Sequence, residues 1–291
     1  MTSNAPSSAD RAGHSKKLGL WVMVQTVVVL AATFAVAALA ARAGHRPAVN
    51  VMPTDEASVW GFLAAFAAVT ALVLILTRHF KKTKFLEAVF LLAVFTGIGS
   101  ALVALFGTSV AMLGTSAAVF LYYFSRSVLT FDLLLALGCA GIAANLGGAM
   151  HPTGVAVIIA VLAVYDIVAV YVTKHMVEMA EAMLRRKVFF AMILSERPGN
   201  LLLPVTTVTS GSGFIFLGTG DVVLPALLVA SVSVIDARAA VLVATGALCG
   251  AVVLHLVFLS QHERRPMPAL PPIAVGALLG FVASFFLTSA V

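Results

Sequence analysis

"LAVYDIVAVYVTK", residues 162–174, closes a long apolar run and carries a carboxylate, Asp166, well inside it. A charged side chain at the centre of a bilayer costs about 2.5–3.5 kcal/mol on insertion scales, so an acid kept there is by default a functional-site candidate. Its reading depends on two things: whether the run crosses a membrane, and whether the acid has a partner.

The composition answers the first. Of 291 residues, 61% are hydrophobic and only 10% charged, against roughly 25% charged in a soluble domain. With many long apolar runs, this is a polytopic, all-α membrane protein. Nine segments approach the roughly 20 residues needed to cross. They are 18–41, 58–77, 85–106, 108–124, 128–149, 153–173, 214–235, 239–259 and 269–290. Residues 85–124 are too long for one crossing, and a turn is placed at Gly107-Thr108-Ser109, with Gly114-Thr115-Ser116 as the competitor. Residues 1–17 read as a disordered polar tail. The run from Leu18 to Ala41 exceeds the 7–15 residues of a signal-peptide core and reads as a retained span. The chain then divides into an N-terminal membrane bundle over 18–149 and a second bundle over 153–290, with a loop at 174–213. In that loop Met176, Met179, Met183 and Leu184 recur at helical spacing, as in an interfacial helix or a helix continuing into water.

Basic residues test the count. With the N-terminus cytoplasmic, 15 of the 18 Lys and Arg fall inside. They are Arg11, Lys16, Lys17, Arg78, Lys81, Lys82, Lys84, Arg126, Lys174, Arg185, Arg186, Lys187, Arg197, Arg264 and Arg265. Only Arg42, Arg46 and Arg238 fall outside. This follows the positive-inside rule and puts the C-terminus outside. The net charge of +6 is therefore a topology signal. No loop interleaves aromatics with a long basic run, so no nucleic-acid partner is expected. Cys139 and Cys249 lie in apolar spans without metal-ligand spacing; they read as packing residues, and neither metal nor cofactor is expected.

Of the 12 acidic residues, most are in loops, and Glu87, Asp132 and Asp236 read as span-end charges. Two are deep. Asp166 lies seven residues before the inner end of the sixth span, and Asp221 seven residues after the inner start of the seventh. At about 1.5 Å per residue both sit about 10 Å below one face. Antiparallel neighbours can bring them together. Two carboxylates without a cation cannot both ionise cheaply, so they are expected to share one proton, as in an aspartic protease dyad. The ionised one takes a proton from water and the protonated one polarises a carbonyl.

Gly218 and Gly220 stand just before Asp221 in "FLGTGDVVLPALL" and permit close approach. Pro225 removes the usual i+4 donor of the Asp221 carbonyl. Pro266, Pro268, Pro271 and Pro272 crowd the start of the ninth span. Part of that segment cannot be regular helix; it walls the acid pair or holds an extended substrate, unless it is only a stiff first turn.

Together these motifs resemble the presenilin and signal peptide peptidase family of intramembrane aspartyl proteases. The family's YD, GxGD and PAL motifs correspond to Tyr165-Asp166, Gly218-Thr219-Gly220-Asp221 and Pro268-Ala269-Leu270. A second PAL, Pro225-Ala226-Leu227, does not occupy the family position. The likeness is to the compact archaeal members, close in the C-terminal half and limited to span count and orientation before it. It implies cleavage of substrate transmembrane helices in the bilayer, with Asp166 and Asp221 as catalytic pair. It also implies that Tyr165 and the PAL segment shape the site, in a multi-pass protein of a prokaryotic cell membrane. Thr219 at the variable position bears on substrate preference, and the short loop at 174–213 argues against self-cleavage there. Oligomeric state is left open. The competing reading is a proton-coupled transporter or channel using the same two acids. His255, mid-span, reads as a packed and hydrogen-bonded histidine; Tyr165 and Tyr171 flank Asp166 and either line the site or fill space.

Overall fold

The computed structural model describes residues 8–44, 60, 61, 64, 68, 83–172, 191–209, 213–261 and 267–288. Eight α-helices appear among them. They are α1 (Ser8–Gly44), α2 (Thr83–Phe106), α3 (Thr108–Ser125), α4 (Val128–Ala149), α5 (Pro152–Ile167), α6 (Thr219–Ile235), α7 (Ala237–Ser260) and α8 (Leu270–Thr288). Within these, seven helices are long and apolar enough to span a membrane. α6, with 17 residues, is shorter. Most of the expected span at 58–77 lies outside the described residues, although Trp60, Gly61, Ala64 and Ala68 are helical. The expected amphipathic stretch after Lys174 and Pro266 also lie outside them.

Local chemistry sets the helix boundaries. Gly107 adopts φ 83°, a left-handed conformation that glycine takes without a Cβ clash, and separates α2 from α3. A Cβ on Gly114 would lie 2.7 Å from Leu102, and one on Gly99 would lie 3.4 Å from Thr115. The two helices therefore fold back on one another about Gly107, as expected, and Gly114 stays inside α3. Ser127 caps α4 by accepting from the Thr130 N–H, His151 caps α5 with Pro152 in the first turn, and Asp236 caps α7 by accepting from the Arg238 N–H at 2.7 Å. Each cap satisfies a donor that the helix cannot.

α6 is the central helix. Val222 and every residue from Leu224 to Ser233 are buried, and α6 packs against α1, α4, α5, α7 and α8. The N-terminal helices therefore share one core with the later ones. Lipid is as apolar as leucine, so helices associate through close contact rather than hydrophobic exclusion. α7 and α8 show how. Gly246 and Gly250 on α7 face Gly276 and Pro272 on α8, and Gly280 faces Leu242. A methyl group at any of these glycines would strike the other helix's backbone. The sequence carries this as two GxxxG pairs, a signal the span count passes over.

Three expectations need correction. Phe214–Gly218 is not helix but strand β2, paired antiparallel with β1 (Ala191–Ser195) from Ala191↔Gly218 to Ser195↔Phe214. "FIFL" is a short apolar run bounded by Gly213 and Gly218, and such runs cannot be assigned to helix or strand by periodicity. Among the described residues the fold is thus mostly helical with one two-stranded antiparallel pair, and residues 191–207 of the expected loop hold β1 and two short 3₁₀ turns (Pro198–Leu202, Val205–Thr207). Asp221 consequently sits in the first turn of α6 rather than two turns into a span. Finally, α1 starts at Ser8, within the expected disordered tail; once a helix is nucleated, each further residue adds a bond.

Gly276→Val should wedge α7 from α8 at a cost of about 1–3 kcal/mol, lowering the unfolding midpoint in detergent. Gly148→Ala, whose Cβ would meet Ala41 at an ordinary 3.8 Å, should leave it unchanged. Equal midpoints for the two variants would contradict this packing.

Candidate functional site

Three departures from regular helix meet at one place. The first is in α5. Asp166 is the penultimate residue of the α-helix, and Val168–Val172 then form a π turn. This wider i→i+5 geometry is rare and recurs at functional sites. Asp166 is buried, 5% exposed.

The second is the junction of β2 with α6. Gly218 ends the strand and caps the helix, so Asp221 is the third helical residue. From there a carboxylate reaches back to the N-cap, the reciprocal half of a capping box. The Gly218 backbone N–H donates to the Asp221 carboxylate. A Cβ on Gly218 would lie 2.9 Å from Asp221 Oδ2. A side chain at Gly218 would therefore displace the Asp221 carboxylate from its present position, while φ at Gly218 is an ordinary −58°. A Cβ on Gly220 would meet nothing within 4 Å.

The third is the start of α8. Met267, Pro268 and Ala269 are non-helical and Leu270 is the first helical residue. Of the first four residues only Leu270 and Ile273 carry an N–H, because Pro271 and Pro272 have none. The Leu270 N–H donates to Asp166 Oδ2 at 3.3 Å. Asp166 thus caps a helix other than its own, across 104 positions of sequence.

α5, α6 and α8 pack on one another, which brings the two acids within electrostatic reach. Neither has a lysine or arginine partner among the described residues. No three of His, Cys, Asp or Glu converge as a metal site among the described residues. The arrangement offers two carboxylates and several fixed N–H groups, which suits water activation and carbonyl polarisation.

The sequence-predicted residues divide accordingly. Asp166, Asp221, Gly218 and Leu270 are brought together, Pro268 is buried and Ala269 half-buried beside them, and Thr219 and Gly220 form the first turn of α6. Tyr165 is 45% exposed and Tyr171 58%, so both side chains reach the bundle's surface. Pro225, Ala226 and Leu227 are buried within α6. His255 is buried between α7 and α1, with Nε2 3.2 Å from Thr26 Oγ1 and Nδ1 3.0 Å from Ala251 O, the packed histidine expected. Cys139 is buried and Cys249 exposed, and both are free. Asp236 and Glu87 act near helix ends, the latter accepting from Tyr122 Oη at 3.4 Å.

Asp132 departs from its expected role as a span-end charge. It is buried, and its Oδ1 accepts from the Ile193 N–H of β1 at 2.8 Å. No local pattern signals this, because the partner lies 61 residues on.

The family model described as "Signal-peptide peptidase, presenilin aspartyl protease" matches residues 18–290. Among solved structures, a presenilin family intramembrane aspartate protease in space group C222 is similar at 26% identity and TM-score 0.65, over 91% of this chain and 99% of that one. Another, in space group P2, is similar at 25% identity and TM-score 0.61, over 91% and 96%. No curated protein matches.

Gly218→Ala should push the Asp221 carboxylate off the Gly218 N–H. With about 1 kcal/mol for that hydrogen bond, amide exchange at residues 214–222 should quicken several-fold, while Gly220→Ala leaves it unchanged. Equal exchange in both variants would show that the carboxylate does not fold back onto Gly218.

Proposed function

This chain belongs to the signal-peptide peptidase, presenilin aspartyl protease family, and from that premise we propose that Asp166 and Asp221 are the catalytic pair of this intramembrane aspartic endopeptidase. What supports the assignment is the meeting of the two acids between α5, α6 and α8 without a cation among the described residues. No observation favours a transporter.

The chemistry needs no second reactant but water. One carboxylate is ionised and takes a proton from a water molecule as the water oxygen bonds to the scissile carbonyl carbon. The other carboxyl gives its proton to the carbonyl oxygen. The resulting diol collapses, the C–N bond breaks, and the departing nitrogen takes up a proton. A peptide bond within a helix is shielded, so the substrate must open locally before attack. Irregular backbone beside the acids suits that opening, since non-helical segments at membrane depth are tolerated only under protein or water cover. Gly218, Thr219 and Gly220 and the Pro268-Ala269-Leu270 segment shape this pocket, Leu270 through its N–H on Asp166. Tyr165 contributes by position next to Asp166. The substrates are transmembrane segments of other membrane proteins.

The protein is integral to the membrane. The proposed topology is nine spans with a cytoplasmic N-terminus in a prokaryotic cell membrane. Seven described helices of spanning length, α6, and the apolar stretch at 58–77 support the count, and the distribution of Lys and Arg supports the orientation.

Purified protein in proteoliposomes with a fluorogenic transmembrane peptide tests the assignment. Asp166→Ala and Asp221→Ala should each lower kcat by at least about 10³-fold, with the fold intact by circular dichroism. Residual cleavage at wild-type rate in either would remove that residue from the chemistry. Because the pair must hold one proton, kcat/KM should be bell-shaped in pH. A rate that reaches a plateau and stays level at high pH would contradict proton sharing.

A further inference from the structure

The hairpin that leads into Asp221 is held from outside, and the holding groups are a second layer of the site. A two-stranded ribbon alone is marginal. Here it pairs over only five residues a side. Its inner pairing is continued by the Glu196 N–H donating to Gly213 O at 2.9 Å. Its other edge, along β1, would present bare N–H groups in a buried position, where an unsatisfied donor is costly. Met192 and Ile193 are fully buried and Leu194 is 3% exposed. The Ile193 N–H goes to Asp132 Oδ1 on α4 at 2.8 Å, and the Ser195 N–H to Gln25 Oε1 on α1 at 3.1 Å. Alternate N–H groups of β1 are therefore taken by side chains of two helices, and this edge is closed to further strand pairing.

We propose that Asp132 is a positioning residue for catalysis: by accepting the Ile193 N–H it fixes the register and depth of the β1–β2 hairpin, and through Gly218 the orientation of Asp221. This rests on the assignment of Asp221 as catalytic. The link is short and continuous. Ile193 pairs with Phe216, Phe216 is two residues from Gly218, and the Gly218 N–H holds the Asp221 carboxylate. A shift of about 1 Å at a reacting group can cost about 100-fold in rate. Asp132 touches neither acid in the site, so its effect belongs in kcat and in where the cut falls, and not in the binding of the substrate's remote parts. Gln25 acts in the same way two pairs further along and nearer the turn, and its contribution to Asp221 is smaller.

The test uses the full-length protein in proteoliposomes and the same transmembrane peptide, with kcat and KM normalised to folded protein and the products mapped by mass spectrometry. Asp132→Ala removes the acceptor and should lower kcat at least 10-fold, leave KM within about twofold, and spread the cuts over neighbouring bonds. Asp132→Asn keeps an oxygen for the Ile193 N–H and should restore most of kcat and the single cut. Gln25→Leu should fall between. If Asp132→Ala does not accumulate, Asp132→Glu replaces it; its extra methylene displaces the acceptor, and kcat should drop with the cut spread. The inference is overturned if Asp132→Ala, or Asp132→Glu in its place, lowers only the unfolding midpoint with kcat and cut position unchanged. It is overturned equally if Asp132→Asn is as impaired as Asp132→Ala. Absence of cleavage by the wild-type protein, or its persistence in Asp221→Ala, would instead remove the catalytic assignment on which the inference stands.

Discussion

The constraint on which this structure depends is that a backbone N–H inside a membrane protein must find an acceptor within the protein. Regular helix meets that demand by itself, and most of the chain is regular helix. Where the chain leaves helix, side-chain acceptors are needed, and here carboxylates supply them. Asp166 takes the N–H of Leu270 at the start of α8, Asp221 that of Gly218 at the start of α6, and Asp132 that of Ile193 in β1. The same acids that are costly in an apolar environment are what make the broken backbone affordable there. Two of the three, Asp166 and Asp221, lie within electrostatic reach of one another.

The rest of the bundle can be understood as the frame for those breaks. α6 is short for a span, and strand β2 ahead of it carries the chain further per residue than helix would, about 3.3 Å against 1.5 Å. α6 is buried along most of its length by five other helices, so its N-terminal turn has a fixed place. α8 is fixed by glycine-mediated contact with α7, which sets where Leu270 presents its N–H. The π turn after Asp166 lies on α5, packed against both. None of these elements holds the site alone. Each brings one irregular end to a common point.

Much of this could be read in the chain, though not always for the right reason. The membrane class, the helix boundaries near Gly107, Ser127 and Pro152, and the two acids were legible because lipid imposes composition and length on local sequence. Equal depth of Asp166 and Asp221 in the sequence presumes regular helix over both segments. The seventh segment is a strand for its first five residues, so the rise of 1.5 Å per residue does not hold there. Consecutive antiparallel elements are close however each is built, and the two acids lie within electrostatic reach of one another. Asp132 looks in the sequence like a charge at a span end, and its role follows from a strand 61 residues away.

What the sequence determined by itself is therefore the set of costly groups. It shows which acids stand in apolar runs, which glycines and prolines interrupt them, and on which side the cations gather. Each of these depends on a residue's own transfer energy or backbone freedom. Tertiary structure alone decided that Asp166 accepts from Leu270 and Asp132 from Ile193, and that β1 is closed along its outer edge. Those are contacts between segments far apart in the chain, and a hydrogen bond's partner is set by three-dimensional proximity, which no local pattern of residues encodes.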